Sequence, residues 1–125
     1  MYKFYNANSN GNFVNDCVVR AISAAEGISW DRAYTKLSNI AQEEGTLLDD
    51  VIFVEGYLDR NYPTVSHYSK TVGELAEEYP KGIFLVTMEG HITVIIDGIV
   101  YDTFDCRDGI IWCVWEVPRK RFKRK

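Results

Sequence analysis

The sequence predicts an α+β fold in which the helices of the N-terminal half pack on a C-terminal antiparallel sheet of about four strands. Up to Pro80, apolar side chains recur at helical spacing between helix start and stop signals. From Ile83 onward they form short β-branched and aromatic runs, separated by turns that contain glycine. Helices followed by consecutive strands are typical of the α+β class.

The first two predicted helices are bounded by capping residues. Asn15 is the predicted N-cap of the first helix, Asp16 falls in its first turn, and Gly27 ends it. The second helix follows Ser29 and ends at Gly45.

Two shorter helices are expected to follow. Residues 46–49, Thr-Leu-Leu-Asp, resemble a capping box and predict a third helix, whose length the interior Gly56 makes uncertain. A better capping box, formed by Thr71 and Glu74, predicts a fourth helix that Pro80 closes.

The predicted strands form an antiparallel meander joined by short turns. Asp97-Gly98 is the strongest hairpin signal in the chain, and Asp108-Gly109 is the second. The four predicted strands are Ile83–Met88, His91–Ile96, Ile99–Phe104 and Ile110–Val117.

Composition limits the classes of protein that fit. With 46% apolar and 26% charged residues, the 125-residue chain can bury a core as one domain without disulfides. No apolar run has the length of a membrane span, and the polar start is no signal peptide. Three cysteines, an odd number, favour a reducing compartment, and we expect the cytoplasm.

The charge is unevenly distributed along the chain. Residues 118–125 carry six of the 14 basic side chains, so residues 1–117 hold 8 basic and 18 acidic ones, a balance of −10. We therefore expect a domain over residues 1–117 and a basic tail over 118–125. The tail could bind nucleic acid phosphates or an anionic membrane surface. A solubilising or frayed end is the simpler interpretation, so neither nucleic acid nor membrane is expected as a partner of the domain.

Cys17 lies where the first helix is predicted to begin. Unpaired amides and a partial positive charge at a helix start stabilise a thiolate, the nucleophilic form of cysteine. Free cysteines are more often small core residues, so this position alone does not establish a nucleophile. Arg20 follows one turn later. It could pair with Asp16 at i,i+4, which is the simpler interpretation, or it could form a structural contact behind the site.

Strand register brings a histidine and a carboxylate together. With a two-residue turn at Asp97-Gly98, His91 and Asp102 become diagonal neighbours on one face of the hairpin, with Cα atoms roughly 7–8 Å apart. Asp105 then falls on the opposite face. A three-residue turn would reverse this parity.

The three side chains fit the chemistry of acyl transfer. In such a triad Cys17 attacks a carbonyl carbon, His91 takes and returns the proton, and Asp102 orients the ring. The resulting oxyanion needs donors, and the amide of Cys17 is one. Asn12 is the predicted side-chain donor, because Asn15 is assigned to the helix cap.

A family resemblance extends over roughly residues 9 to 106. The chain resembles the papain-like cysteine peptidase superfamily, particularly its compact branch of C39-like bacteriocin-leader peptidases. It is more closely similar to small uncharacterised proteins encoded by phages and prophages. The resemblance implies a papain-like fold with Cys17, His91 and Asp102 as nucleophile, base and orienting residue. The segments that carry it are residues 15–21 (Asn-Asp-Cys-Val-Val-Arg-Ala), 71–73, 90–91, 97–98 and 101–105.

The chain departs from the papain pattern at the oxyanion hole. Gly11 stands where papain-like peptidases have a glutamine, and the neighbouring Asn12 could replace it. The leading hypothesis is a cofactor-free, phage-encoded cysteine hydrolase that cleaves an amide, peptide or isopeptide bond of a protein or peptide in the bacterial cytoplasm. The same triad could transfer the acyl group to an amine. The alternative is a non-enzymatic protein that binds and blocks a host factor.

Other candidate sites are weaker. A metal site built from Cys17, His91, Cys106 and Cys113 lacks the usual ligand spacing, so no metal is expected. Cys106 and Cys113 are predicted packing residues, and His67 has no partner motif.

Overall fold

The computed structural model describes residues 1–119. These residues form four helices and five strands, which confirms the α+β class. The elements in chain order are β1 (Tyr2–Phe4), α1 (Cys17–Glu26), α2 (Trp30–Glu44), α3 (Val51–Asn61), α4 (Val72–Glu78), β2 (Ile83–Met88), β3 (His91–Ile96), β4 (Ile99–Asp102) and β5 (Cys113–Val117).

The sheet is mixed and five-stranded, with the order β1-β4-β3-β2-β5. The expectation of a four-strand antiparallel meander is therefore wrong in two respects. First, β1 was not predicted, and it pairs in parallel with β4. Second, β5 pairs with β2 and not with β4, since β1 already occupies the outer edge of β4. The turn at Asp108-Gly109 consequently does not join neighbouring strands.

The hairpin between β3 and β4 has the predicted two-residue turn. Asp97 and Gly98 both have positive φ, at 50° and 77°, as a type I′ turn requires. The turn pairs Ile96 with Ile99 and Val94 with Tyr101. This register fixes which side chains share a face at the open end of the hairpin.

Two of the four helices start at the predicted caps. The side chain of Ser29 accepts the amide of Arg32 at the start of α2, and Gly45 ends that helix with a left-handed backbone. Thr71 and Glu74 form the complete capping box of α4.

The other two helix starts differ from prediction. Asp16, and not Asn15, is the residue before α1, and its carboxylate makes no cap bond because it has other partners. The third helix begins at Val51 and not after residues 46–49. Asp50 caps it by accepting two first-turn amides, whereas the amide of Thr46 donates to α2 and completes the end of that helix.

Apolar side chains cover both faces of the sheet. Leu85 and Val94 belong to a cluster with α1, α2 and α3, while the alternate residues Phe84 and Ile95 belong to a second cluster with α4. Three helices thus lie on one face and α4 on the other. The open end of the β3–β4 hairpin lies near the start of α1, since Arg20 on α1 contacts Asp102 on β4.

The last strand ends at Val117, the predicted boundary of the domain. Of the predicted basic tail, only Pro118 and Arg119 are described, and Arg119 pairs with Asp97. The tail from residue 120 onward lies outside the described residues. Among residues 1–119, no helix combines the length and apolarity needed to cross a bilayer.

Candidate active site

Cys17 is the first residue of α1 and is partly exposed. Its own amide has no acceptor within the helix, as holds for every first-turn residue. It lines two adjacent cavities, of about 490 and 310 Å³, and His91 lines both of them as well. Cys17 and His91 thus lie together where the two cavities meet.

His91 and Asp102 form the contact that strand register predicts. Nε2 of His91 lies 2.7 Å from Oδ2 of Asp102, and both side chains are almost fully removed from solvent. Asp105 pairs at the surface with Arg107, at 2.7 Å. Because Nε2 is engaged by Asp102, Nδ1 is the ring nitrogen left for the thiol.

The local environment keeps this pair ionised. Burial alone would lower the pKa of His91, but the hydrogen bond to Asp102, with contributions from Cys106 and Cys17, raises that pKa to about 11. Burial alone would raise the pKa of Asp102, and the contact with His91 instead brings it down to about 2. His91 is therefore an imidazolium over the neutral pH range.

The neighbouring His91 affects the pKa of the Cys17 thiol. Burial favours the neutral thiol, yet the neighbouring imidazole of His91 and the backbone of Ile92 outweigh it and lower the pKa of Cys17. At Cys113, which is also partly exposed, burial and the nearby carboxylate of Glu55 raise the pKa. The two partly exposed thiols are thus shifted in opposite directions, and the lowered pKa belongs to the one beside the histidine.

Arg20 makes both contacts that the sequence left as alternatives. Its Nε donates to Oδ1 of Asp16 at 2.7 Å, and its Nη1 donates to Oδ1 of Asp102 at 3.0 Å. Asp16 also accepts hydrogen bonds from the indole of Trp30 at 2.9 Å and from the side-chain amide of Asn8 at 3.3 Å. The i,i+4 pair could be predicted locally, whereas the contact with Asp102 joins residues 82 positions apart.

The two cavities are bordered by exposed apolar side chains. Phe13 is 71% exposed and Phe104 is 50% exposed at the larger cavity, and the ring of Phe104 lies 4.7 Å from that of His91. Trp112, 53% exposed, and Val51 border the smaller one. A group of large exposed apolar side chains around a cleft is typical of a binding surface.

The two candidate oxyanion donors differ in whether they line the cavities. Asn12 and Asn15 are both exposed, but Asn12 lines neither cavity, and its backbone carbonyl accepts the side-chain amide of Asn6. Asn15 lines both cavities beside Cys17. Sequence reasoning passed over Asn15 because it was assigned to a cap that it does not form.

Cys106 is a buried neighbour of the site. Its thiol donates to Oδ2 of Asp102 at 3.6 Å, and the ligand atoms of His91, Asp102 and Cys106 lie within 4.8 Å of one another. Such a group could in principle hold a metal ion. However, the three side chains are already engaged with one another, and the guanidinium of Arg20 on Asp102 opposes a second cation.

The remaining predicted residues lie elsewhere. Cys113 is on β5 and lines neither cavity, and Nδ1 of His67 lies 2.8 Å from the carbonyl of Ser69. Together, the site offers a low-pKa thiol, an imidazolium and a fixed carboxylate, the groups needed for nucleophilic acyl transfer. Compared with known proteins, the chain matches no protein-family profile, no curated protein and no solved structure.

Proposed function

We propose that this protein is a cysteine hydrolase that cleaves an amide, peptide or isopeptide bond, with Cys17 as nucleophile, His91 as acid and base, and Asp102 as orienting residue. The 2.7 Å contact between His91 and Asp102, beside a thiol whose pKa His91 lowers, carries the proposal. The proposal includes a papain-like fold, similar to that of the C39-like peptidases, and a phage origin.

The reaction proceeds in two acyl-transfer steps. The Cys17 thiolate adds to the carbonyl carbon, and the oxyanion accepts hydrogen bonds from the amide of Cys17 and the side chain of Asn15. His91 then gives its proton to the leaving amine as the C–N bond breaks, which leaves a thioester on Cys17. Neutral His91 takes a proton from water, the hydroxide attacks the thioester, and the thiolate and imidazolium are regenerated.

The cleft suits a peptide segment with apolar side chains. Phe13 and Phe104 lie on one side of Cys17, and Val51 and Trp112 lie on the other. A peptide or protein substrate would bury these exposed surfaces as its carbonyl reaches the thiol. An amine that enters in place of water would receive the acyl group, so transfer is a variant of the same reaction.

Alkylation with iodoacetamide across pH tests the nucleophile without a known substrate. Peptide-level mass spectrometry resolves Cys17 from Cys113, which serves as the matched control in the same molecule. We expect Cys17 to react faster than Cys113 at neutral pH and to keep this advantage below neutrality. Equal rates and equal pH profiles would contradict the proposal.

One observation favours the alternative, a protein that binds and blocks a bacterial host protein. The exposed rings of Phe13, Phe104 and Trp112 would serve a stable partner as well as a substrate. Cys17→Ala separates the two functions, because it removes the nucleophile and leaves these rings in place. A biological effect retained by the folded variant supports binding, and its loss supports catalysis. In either case we propose action in a reducing cytoplasm, which the three free cysteines favour.

A further inference from the structure

Arg20 connects the helix that carries the nucleophile to the strand that carries the carboxylate. It lies one turn after Cys17 on α1, and its side chain is only 10% exposed. The guanidinium bridges two buried carboxylates, Asp16 before α1 and Asp102 on β4, through two different nitrogens. Their side chains are 7% and 3% exposed.

The bridge divides the carboxylate of Asp102 between two cations. Oδ1 accepts from Arg20 at 3.0 Å and from the amide of Thr103 at 2.7 Å, while Oδ2 faces Nε2 of His91. A carboxylate held by one oxygen cannot rotate without breaking those bonds, so the other oxygen stays on the imidazole.

The other end of the bridge is anchored independently of the triad. Oδ2 of Asp16 accepts from Trp30 on α2 and from Asn8 in the N-terminal segment, which leaves Oδ1 for Arg20. The planar guanidinium matches this arrangement, since it reaches the two carboxylates with two different nitrogens, whereas an ammonium group carries all its donors on one rotating nitrogen.

We propose that Arg20 is a positioning residue of the Cys17–His91–Asp102 site, which fixes the Asp102 carboxylate against His91 and sets the start of α1 relative to β4. This inference rests on the proposed function. Arg20 does not contact the reacting atoms and acts through Asp102.

The charge of Arg20 gives the proposal a distinctive pH signature. Its positive charge contributes to the lowered pKa of Cys17, and it competes with His91 for the negative charge of Asp102. Without Arg20, the pKa of Cys17 rises for lack of a nearby cation. The position of the Asp102 carboxylate shifts as well, because its Oδ1 then keeps only the contact with Thr103. The titratable groups around Arg20 are Asp16, Cys17, Glu89, His91, Asp102 and Cys106.

The rate of Cys17 alkylation against pH measures the first shift directly. In Arg20→Gln we expect the pH at which the alkylation rate of Cys17 rises to increase by about one unit. Below that pH, the variant should react roughly tenfold more slowly than the wild type. Arg20→Lys keeps the charge and loses the two-armed bridge, so we expect a smaller shift in the same direction. Arg60→Gln, which removes an exposed arginine paired with Glu44, is the matched control and should leave the profile unchanged.

A spectroscopic measurement reports on position independently of charge. The Nε2 proton of His91, hydrogen-bonded to Asp102, should give a far-downfield proton resonance in the wild type. We expect both Arg20 variants to broaden or lose it, since Oδ1 of Asp102 is then held by Thr103 without the guanidinium. Circular dichroism and thermal melting establish which variants are folded.

Each outcome decides between the claims. A folded Arg20 variant with the wild-type alkylation profile and the wild-type His91 resonance overturns the positioning role and leaves the proposed function intact. If Arg20→Gln does not fold, Arg20→Lys decides the question by the same two readouts. Wild-type Cys17 that titrates like Cys113 overturns the proposed function, and the positioning role with it.

Discussion

Replacing Cys17 with alanine should make the stability of this protein depend on pH where the wild type is indifferent to it. The proposed function requires Cys17 to be a thiolate and His91 an imidazolium in the native protein, so that the pair holds one proton. In the unfolded chain, between the ordinary pKa values of 6.5 for histidine and 9.0 for cysteine, the thiol holds that proton and the imidazole is neutral. Unfolding therefore releases no proton from the pair, and its contribution to stability is flat over this range.

Cys17→Ala removes the thiol that takes up the proton of His91 when the chain unfolds. His91 still has a raised pKa because Asp102 remains. Without Cys17, that pKa lies below the wild-type value of about 11. A raised native pKa contributes stability that is fully present below 6.5 and is lost as pH rises toward the native value. The native variant then holds one proton more than the unfolded chain, and the free energy of unfolding falls by about 1.4 kcal/mol per pH unit.

Urea denaturation at several pH values between about 7 and 8.5 measures this slope. Over that interval, about 2 kcal/mol should separate the ends of the variant's profile, while the wild type changes little. Cys113→Ala is the control, and it should follow the wild type because that thiol keeps its proton in the native state. A flat profile for Cys17→Ala would show that His91 is neutral when native, and the ion pair would be refuted. A wild-type profile that already falls at this slope would show that Cys17 is protonated.

Three further predictions concern single side chains. Asp102→Asn removes the charge that raises the pKa of His91, so alkylation of Cys17 at neutral pH should slow toward that of an ordinary thiol. Glu26, buried against Lys36 and two tyrosine hydroxyls, has a lowered pKa and stabilises the fold above 4.5. Wild-type melting temperatures should therefore fall as pH drops below that value, and Glu26→Gln should flatten the fall. Asn15→Ala should slow acylation by p-nitrophenyl acetate by roughly a hundredfold, and Asn12→Ala should not.

The contact between His91 and Asp102 was predictable because it depends on one turn. Asp97-Gly98 favours a two-residue loop with positive φ at both positions, and the structure has it. Once that loop length is set, the two-residue period of a strand determines which side chains share a face. The same parity separates Asp102 from Asp105, which lies at the surface with Arg107.

The strand order could not be predicted in the same way. Three residues, Tyr2–Phe4, form β1, too few to give a periodicity, and their partner β4 lies almost 100 positions away. Their parallel pairing closes the edge of β4 that an antiparallel meander would use. The position of β5 beside β2 depends on this distant event, and no local signal reports it.

The choice between Asn12 and Asn15 as oxyanion donor depended on the predicted cap of α1. Asn15 was assigned to the cap of α1 because amide side chains commonly fill that position. In the structure Asp16 precedes the helix, but its carboxylate is used by Arg20, Trp30 and Asn8. A capping side chain stabilises a helix by about 1 kcal/mol, whereas breaking a buried ion pair costs more. The carboxylate of Asp16 therefore stays with Arg20 and does not cap α1.

The contacts of Asp102 extend the candidate site beyond Cys17, His91 and Asp102 to include Arg20. The β3–β4 hairpin brings its Oδ2 to His91, and α1 brings Arg20 to its Oδ1, so one carboxylate joins His91 to the helix that begins at Cys17. A chain with the same hairpin and the same cysteine but an apolar residue at position 20 would still form the first contact. It would then hold the buried Asp16 without a cation, at a cost of several kcal/mol, and Oδ1 of Asp102 would keep only its contact with Thr103. The register of a hairpin is therefore sufficient to predict which residues meet, whereas we infer that the long-range contact through Arg20 is what holds them in one geometry.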